Sequence, residues 1–328
     1  MQTITGAPSA VAPRENLLAW KRSQLRSSDW LVPVPPACAA EFEQIAHFAR
    51  GHVGPLAAFG AERLDLPACA GVMAQIRTRL VDGPGFAVLD RVPVERYRCQ
   101  EGQAIGWVLA NLMGQVVAQK RDGTRLYDVR DTGRAIVHGV RRSVTNLEQE
   151  FHTDGGWLPL PPTSIGLYCL QPAAEGGMSR CASLVTVHHA LRDRPRLLER
   201  LHQPFWWDRQ AEHAADDVTH SRAPIYWHAG ERICARYYDD YVRKGYALAG
   251  EPLDHLGAQA LDAMRESIEA DENWVAFDLD RGQFLYVNNR QIAHSRTAFC
   301  DDGARRHLMR FWNRDEGSPD LEGGRAVL

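Results

Sequence analysis

Phe151-His152-Thr153-Asp154-Gly155-Gly156-Trp157 is the stretch from which the rest of the chain can be read. On a strand the side chains of residues i and i+2 point to one face, so His152 and Asp154 can reach the same metal ion. The tripeptide alone says little. With 13 His in the chain, about one His-x-Asp is expected by chance, and a buried His hydrogen-bonded to a local Asp is the plainer reading. It gains meaning with His294, which follows the apolar run Phe284-Leu285-Tyr286-Val287. A structural His closing a turn competes with the reading of His294 as a third ligand from a distant strand. Two imidazoles and one carboxylate would leave the remaining positions of an ion open, the donor set suited to non-haem Fe(II) and O2.

Composition narrows the partners. The 328 residues carry 45% hydrophobic and 24% charged side chains, ordinary for a globular chain and ample for one large core with insertions or for two domains. A formal net charge of −3 without a basic block argues against nucleic acid. No apolar run approaches the roughly 18 residues of a membrane span. Met1 to Val11 lacks the charged start and apolar segment of a signal peptide and reads as a frayed tail. The seven cysteines are scattered, with no Cys-x-x-Cys, so reduced thiols in a cytoplasmic protein are expected.

Along the chain, residues 14–30 predict a short amphipathic helix. Further helices are expected from Ala37 to Gly51, over 71–80 and over 100–112. Phe86 to Leu89 reads as a strand, and 116–119 with 126–129 as a hairpin around Arg121-Asp122-Gly123. Strands are expected at 164–170 and 179–187, a helix over 188–204 with Pro195 in its first turn or at a break, and strands at 205–210 and 225–228. Residues 236–241 form a polar, Tyr-rich segment, 253–269 a clear helix, and 274–279, 283–288 and 307–312 the last strands. Short strands interrupted by helices predict a mainly β, α+β protein: a double-stranded β-helix (jelly roll) core with N-terminal and inserted helices. The expected organisation is an N-terminal tail and helical segment over 1–75, the jelly-roll domain over 76–315 with a helical insertion around 188–270, and a mobile tail over 316–328.

Twelve residues beyond His294, Arg306, Leu308, Arg310 and Trp312 would share one face of a strand. Arginines pointing into a barrel cannot lose their charge and need anions, and a dicarboxylate matches the guanidinium fork. A surface strand with two solvated Arg is the alternative, against which Leu308, Phe311 and Trp312 argue.

Several phrases together resemble the taurine dioxygenase/TfdA-type family of Fe(II)- and 2-oxoglutarate-dependent oxygenases, of the clavaminate synthase-like fold. They are Gly83-Pro84-Gly85-Phe86, Phe151-His152-Thr153-Asp154, Glu175-Gly176-Gly177-Met178-Ser179, Asn288-Asn289 before His294-Ser295-Arg296, and Arg306-His307-Leu308-Met309-Arg310. The resemblance covers about residues 75–314. It implies His152, Asp154 and His294 as iron ligands, and Ser179 and Arg306 on the distal carboxylate of 2-oxoglutarate. Arg310 would then lie near the metal-proximal carboxylate or an anionic group of the substrate. It also implies Fe(II), 2-oxoglutarate and O2 as cofactors, and decarboxylation of 2-oxoglutarate coupled to hydroxylation of an unactivated C–H bond. The retained Asp154 leaves no vacant ligand position for a halide. Desaturation or cyclisation with the same cofactors, and a binding protein without turnover, remain open beside hydroxylation.

The expected partner is a small, polar or amino-acid-like molecule, with monomer and homodimer both open. Trp157, in the loop 155–162 expected to roof the site, is a candidate substrate contact, as are Asn146 and Glu148 just before the first ligand. For Trp206, Trp207, Tyr226 and Trp227 ordinary core packing is the favoured reading.

Overall fold

A computed structural model describes residues 15–135, 141–210 and 212–314, with the short pieces 321–322 and 325–326. Two sheets face each other. The larger has seven strands, in the order Leu31–Pro33, Phe86–Asp90, Phe284–Asn288, Ser164–Gln171 and His307–Arg314, with Gln115–Val117 and Tyr127–Val129 both on the far edge of His307–Arg314. All its pairings are antiparallel except Leu31–Pro33 on Phe86–Asp90. The smaller sheet runs Trp274–Phe277, Ser179–Ser183, Ile292–Arg296 and Gln149–His152, antiparallel throughout.

The apolar runs in the large sheet are continuous rather than alternating because both of its faces are covered. Tyr168, Phe284, Tyr286 and Phe311 point outward into a core shared with the helices Cys38–Arg50, Pro67–Asp82 and Cys99–Met113. Their neighbours Leu285, Val287, Leu308 and Trp312 point inward, toward Cys181, Ala182, Ile292 and Ala293 of the smaller sheet. Alternation along each strand thus serves two cores at once. The expected jelly roll is present. Between residues 184 and 273 lie the helices Leu184–Ala190, Pro195–Leu201, Asp239–Ala249 and His255–Glu269, with the two-stranded ribbons Pro204–Asp208/His220–Pro224 and Tyr226–Ala229/Arg232–Ala235. Pro195 stands at a helix start, as expected.

Several local expectations are corrected. The turn at Lys120–Gly123 exists, but the strands flanking it do not pair with each other. Each pairs with a different part of the eight-residue strand His307–Arg314, whose long free edge outcompetes a local hairpin. The strand expected over 179–187 stops at Ser183, whose Oγ accepts the Thr186 N–H and caps a helix. Val185 and Val187 are therefore buried on a helix. Residues 14–30 form short pieces, Glu15–Leu18, Arg22–Gln24 and Ser27–Trp30, instead of one helix. Contacts to the core direct this path: Trp20 Nε1 donates to Pro84 O at 2.8 Å, and Ser183 Oγ donates to Leu18 O. The Tyr-rich 236–241 segment leads into a helix that its polarity hid. Residues 1–14 of the expected N-terminal tail, and most of the expected mobile tail, lie outside the described residues; within the latter, 321–322 pairs with 325–326.

Candidate metal and co-substrate site

His152 is the last residue of its strand, and His294 stands directly opposite on the neighbouring one. Their ring centroids are 4.3 Å apart. Asp154 lies two residues past the strand end, in a turn rather than on the strand, and is held there by Asn289. The Asp154 N–H donates to Asn289 Oδ1 at 2.8 Å, and Asn289 Nδ2 donates to Asp154 O at 2.9 Å. The result brings one ligand atom from each of His152, Asp154 and His294 within 4.8 Å of one another, all three side chains buried.

The protonation states suit a cation. His152 Nδ1 is 2.9 Å from Glu150 O, which can only accept, so Nδ1 donates there and Nε2 is the ring atom turned toward the other two ligands. That Nε2 lies 3.5 Å from Asp154 Oδ1. Burial, with His152 nearby, pushes His294 down to about 3, so it is neutral near pH 7, and its buried Nδ1 has no hydrogen-bond partner. Burial by itself would raise the Asp154 carboxyl. The Arg310 guanidinium, with Nη1 3.0 Å from Oδ2, overrides that and holds it well below the usual carboxylate range. Trp312 Nε1 also donates to Oδ2 at 2.8 Å.

Beside the triad, toward the barrel interior, a small cavity is lined by Ser179, Arg296, Arg306, Leu308 and Arg310 with the two histidines. Its positive charge is only partly compensated. Arg306 is 4% exposed and its Nη1 has no partner; burial lowers it to about 10. Arg296 donates through Nη2 to the carbonyls of Thr145 and Leu147, while its buried Nε and Nη1 have no partner; burial, and Arg306 nearby, lower it to about 9. Both guanidiniums lie over the Phe299 ring, at 4.8 Å for Arg296 and 5.1 Å for Arg306. Buried N–H groups without acceptors are costly, and an entering carboxylate would supply the acceptors. Arg310 stands between this cavity and the triad, with Nε donating to Gln119 Oε1 at 2.8 Å and Nη1 on Asp154.

A second chamber opens on the other side of His152 and Asp154, with Trp157, Tyr238, Tyr241, Arg141 and Trp312 among its walls. Trp157 is buried, 5.9 Å from the Tyr241 ring and 6.4 Å from that of Trp312. The roofing loop 155–162 is pinned, not left free by its glycines. Arg236 donates to the carbonyls of Gly156, Leu158 and Pro159, at 2.9, 2.7 and 3.2 Å. Arg236→Ala would leave three carbonyls without these donors, those of Gly156 and Leu158 at buried positions. A loss of about 3 kcal/mol or more is expected, read as a lower Tm, with faster proteolysis inside 156–161.

Asn146 and Glu148 are exposed and line neither chamber, and Glu148 pairs with Arg180. The structure brings neither of them to the walls of the two chambers. Trp207 and Tyr226 are fully buried core residues. Reading the sequence assigned no role to Asn289, Arg296, Tyr238 or Tyr241. Arg296 carried a signal, since it stands two residues from His294 on one strand and so shares its face. Tyr238 and Tyr241, at the start of an unpredicted helix, carried none.

A buried two-His, one-carboxylate constellation in the mouth of a jelly roll, next to an arginine-lined cavity, defines a metal-dependent oxygenase class. The family described as taurine catabolism dioxygenase TauD, TfdA family matches residues 52–312, and the chain belongs to it. It is an Fe(II)- and 2-oxoglutarate-dependent dioxygenase that uses O2. Among its relatives, FR-33289 synthase of Streptomyces rubellomurinus (strain ATCC 31215) is 27% identical over 305 residues, covering 89% of this chain and 88% of that protein. The taurine hydroxylase-like protein SAT17 of Stachybotrys chartarum (strain CBS 109288 / IBT 7711) is 26% identical over 321 residues, covering 91% and 79%. The fold is shared with asparagine oxygenase in complex with Fe(II), 2S,3S-3-hydroxyasparagine and succinate, with a TM-score of 0.66, 21% identity and coverage of 87% and 93%. It is also shared with the non-heme iron oxygenase OrfP in complex with Fe and alpha-ketoglutaric acid, with a TM-score of 0.62, 16% identity and coverage of 91% and 99%.

Proposed function

We propose that His152, Asp154 and His294 hold the Fe(II), that Ser179, Arg306 and Arg296 hold the distal carboxylate of 2-oxoglutarate, and that the enzyme hydroxylates an unactivated C–H bond of a small amino-acid-like molecule. The observation that carries this reading is the junction of two features. Three buried ligand atoms lie within 4.8 Å, and they border a cavity whose arginines keep buried N–H groups without acceptors. The amino-acid-like substrate draws support from asparagine oxygenase and from OrfP, whose complexes contain 3-hydroxyasparagine and (3S)-hydroxy-L-Arg. All seven cysteines are free, which fits a reducing cytoplasm.

When bound, Fe(II) with 2-oxoglutarate and O2 supplies the oxidising power, the co-substrate leaving as succinate and CO2 while one oxygen atom enters the substrate. The chain's own residues prepare for this. A neutral His294 imidazole and an ionised Asp154 carboxylate are offered without proton release near pH 7, with His152 beside them. The Asn289 clasp on the Asp154 backbone, with Trp312 on Oδ2, keeps that carboxylate aimed at the triad. Arg306 and Arg296 orient the dicarboxylate by its far end, with Ser179 beside them. Trp157, Tyr238 and Tyr241 exclude water from the substrate chamber, and Arg310, held by Gln119, keeps Nη2 free for an anionic substrate group.

Anaerobic titration of the protein with Fe(II) and 2-oxoglutarate tests the assignment. A weak visible charge-transfer band should appear only when both are present, and succinate should form when O2 is admitted with a substrate. Absence of both band and succinate would sink it.

A further inference from the structure

Beside the substrate chamber a cavity of about 460 Å³ is lined by Lys120, Arg121, Arg134 and Arg141 against the carboxylates of Asp122 and Glu212. This excess of two positive charges runs against the chain as a whole, whose formal charge is −3. Both carboxylates are already engaged. Glu212 takes Arg141 Nη2 at 2.5 Å and the Arg121 N–H at 2.7 Å, and Asp122 Oδ1 takes the backbone N–H of Thr124 at 2.9 Å. Among the described residues, neither Lys120 Nζ nor the Arg134 guanidinium has a carboxylate within ion-pair distance.

The cavity adjoins the reaction chamber. Arg141 lines both and lies over the Trp157 ring at 5.8 Å. The Tyr127 ring forms the partition: Lys120 lies over it at 5.0 Å, and so does Arg310, on the triad side, at 4.6 Å. We propose that Lys120, Arg134 and Arg141 form a second anion subsite, and that the substrate is elongated, carrying a compact dianionic head of phosphate-like or malonate-like chemistry remote from the carbon that is oxidised. This deepens the reading above and rests on it. A single carboxylate, which Arg310 could satisfy within the chamber, would leave the outer cations without an anion. A dianion matches their excess, and the volume leaves room for a short linker beyond the head.

The test uses protein loaded anaerobically with Fe(II) and saturating 2-oxoglutarate, titrated by calorimetry with inorganic phosphate and separately with malonate, at about pH 8, where phosphate is largely the dianion. Saturating 2-oxoglutarate keeps malonate out of the inner cavity. At least one dianion is expected to bind the wild type, to weaken as salt is added, and to lose about 10-fold or more in the double variant K120A/R134A. Both side chains stand at or near the surface, so the variant should fold and keep the wild-type charge-transfer band. Phosphate binding alone would assign a phosphate-like head, malonate binding alone a dicarboxylate. The proposal is overturned if neither dianion binds, or if the double variant binds them as tightly as the wild type. A missing band in the wild type would instead count against the iron and 2-oxoglutarate assignment, and phosphate binding would still judge the subsite.

Discussion

Asp154→Ala is expected to abolish Fe(II)-dependent succinate formation, with a loss of about 10³-fold or more, and to remove the band that Fe(II) and 2-oxoglutarate produce together. Two imidazoles remain as ligands, so the site loses its only anionic donor. The same change has a structural effect that must be separated. Arg310 and Trp312 Nε1 both hydrogen-bond to the Asp154 carboxylate, and Arg310 is 4% exposed. Removing that carboxylate leaves a buried guanidinium without its ion pair, at a cost of about 3–5 kcal/mol. Asp154→Asn is the companion variant. Its amide oxygen can still accept from Trp312, and it preserves shape, so its Tm should fall less while the band and succinate are still lost. Wild-type succinate yield in either variant would remove Asp154 from the ligand set.

Arg306→Ala should act differently. The KM for 2-oxoglutarate is expected to rise about 100-fold, since a charge-assisted contact in a buried site contributes about 3 kcal/mol. At saturating co-substrate the charge-transfer band should return, because the triad is untouched. Arg306→Lys should fall between the two, keeping charge but losing the planar fork. The metal-free protein supplies the second readout. Arg306 buries a guanidinium whose Nη1 has no acceptor, so its removal should leave Tm unchanged or raise it. A purely structural arginine would lower Tm and leave KM alone. If KM for 2-oxoglutarate does not move, Arg296, with two buried N–H groups also free, is the residue that holds the distal carboxylate.

Much of the architecture was legible in local pattern. The apolar runs at 86–89, 164–170 and 284–287, and the helical spacing at 37–51, 100–112 and 253–269, correspond to elements of the structure to within one or two residues at each helix end. Where short-range cues misled, a longer-range partner had won. The hairpin signal at Arg121-Asp122-Gly123 produced its turn, but the flanking strands went to the edge of His307–Arg314. The β-branched Val185 and Val187 suggested a strand, yet the cap at Ser183 and burial against the inserted helices favoured helix.

The same division applies to the site. By its sequence alone the chain determined which residues could bind a metal, because His-x-Asp spacing, a distant His and inward-facing Arg at alternate positions are properties of backbone period and side-chain chemistry. Only the tertiary structure decided how they meet. It set His294 opposite His152, used Asn289 to hold Asp154 across 135 residues, and placed Arg310 on the Asp154 carboxylate across 156. It also put Arg296 beside Arg306, and Lys120 and Arg134 around one cavity. Strand register and loop path bring these groups together, and both follow from which surfaces are buried against which, a property of the whole packed chain and of no local window in it.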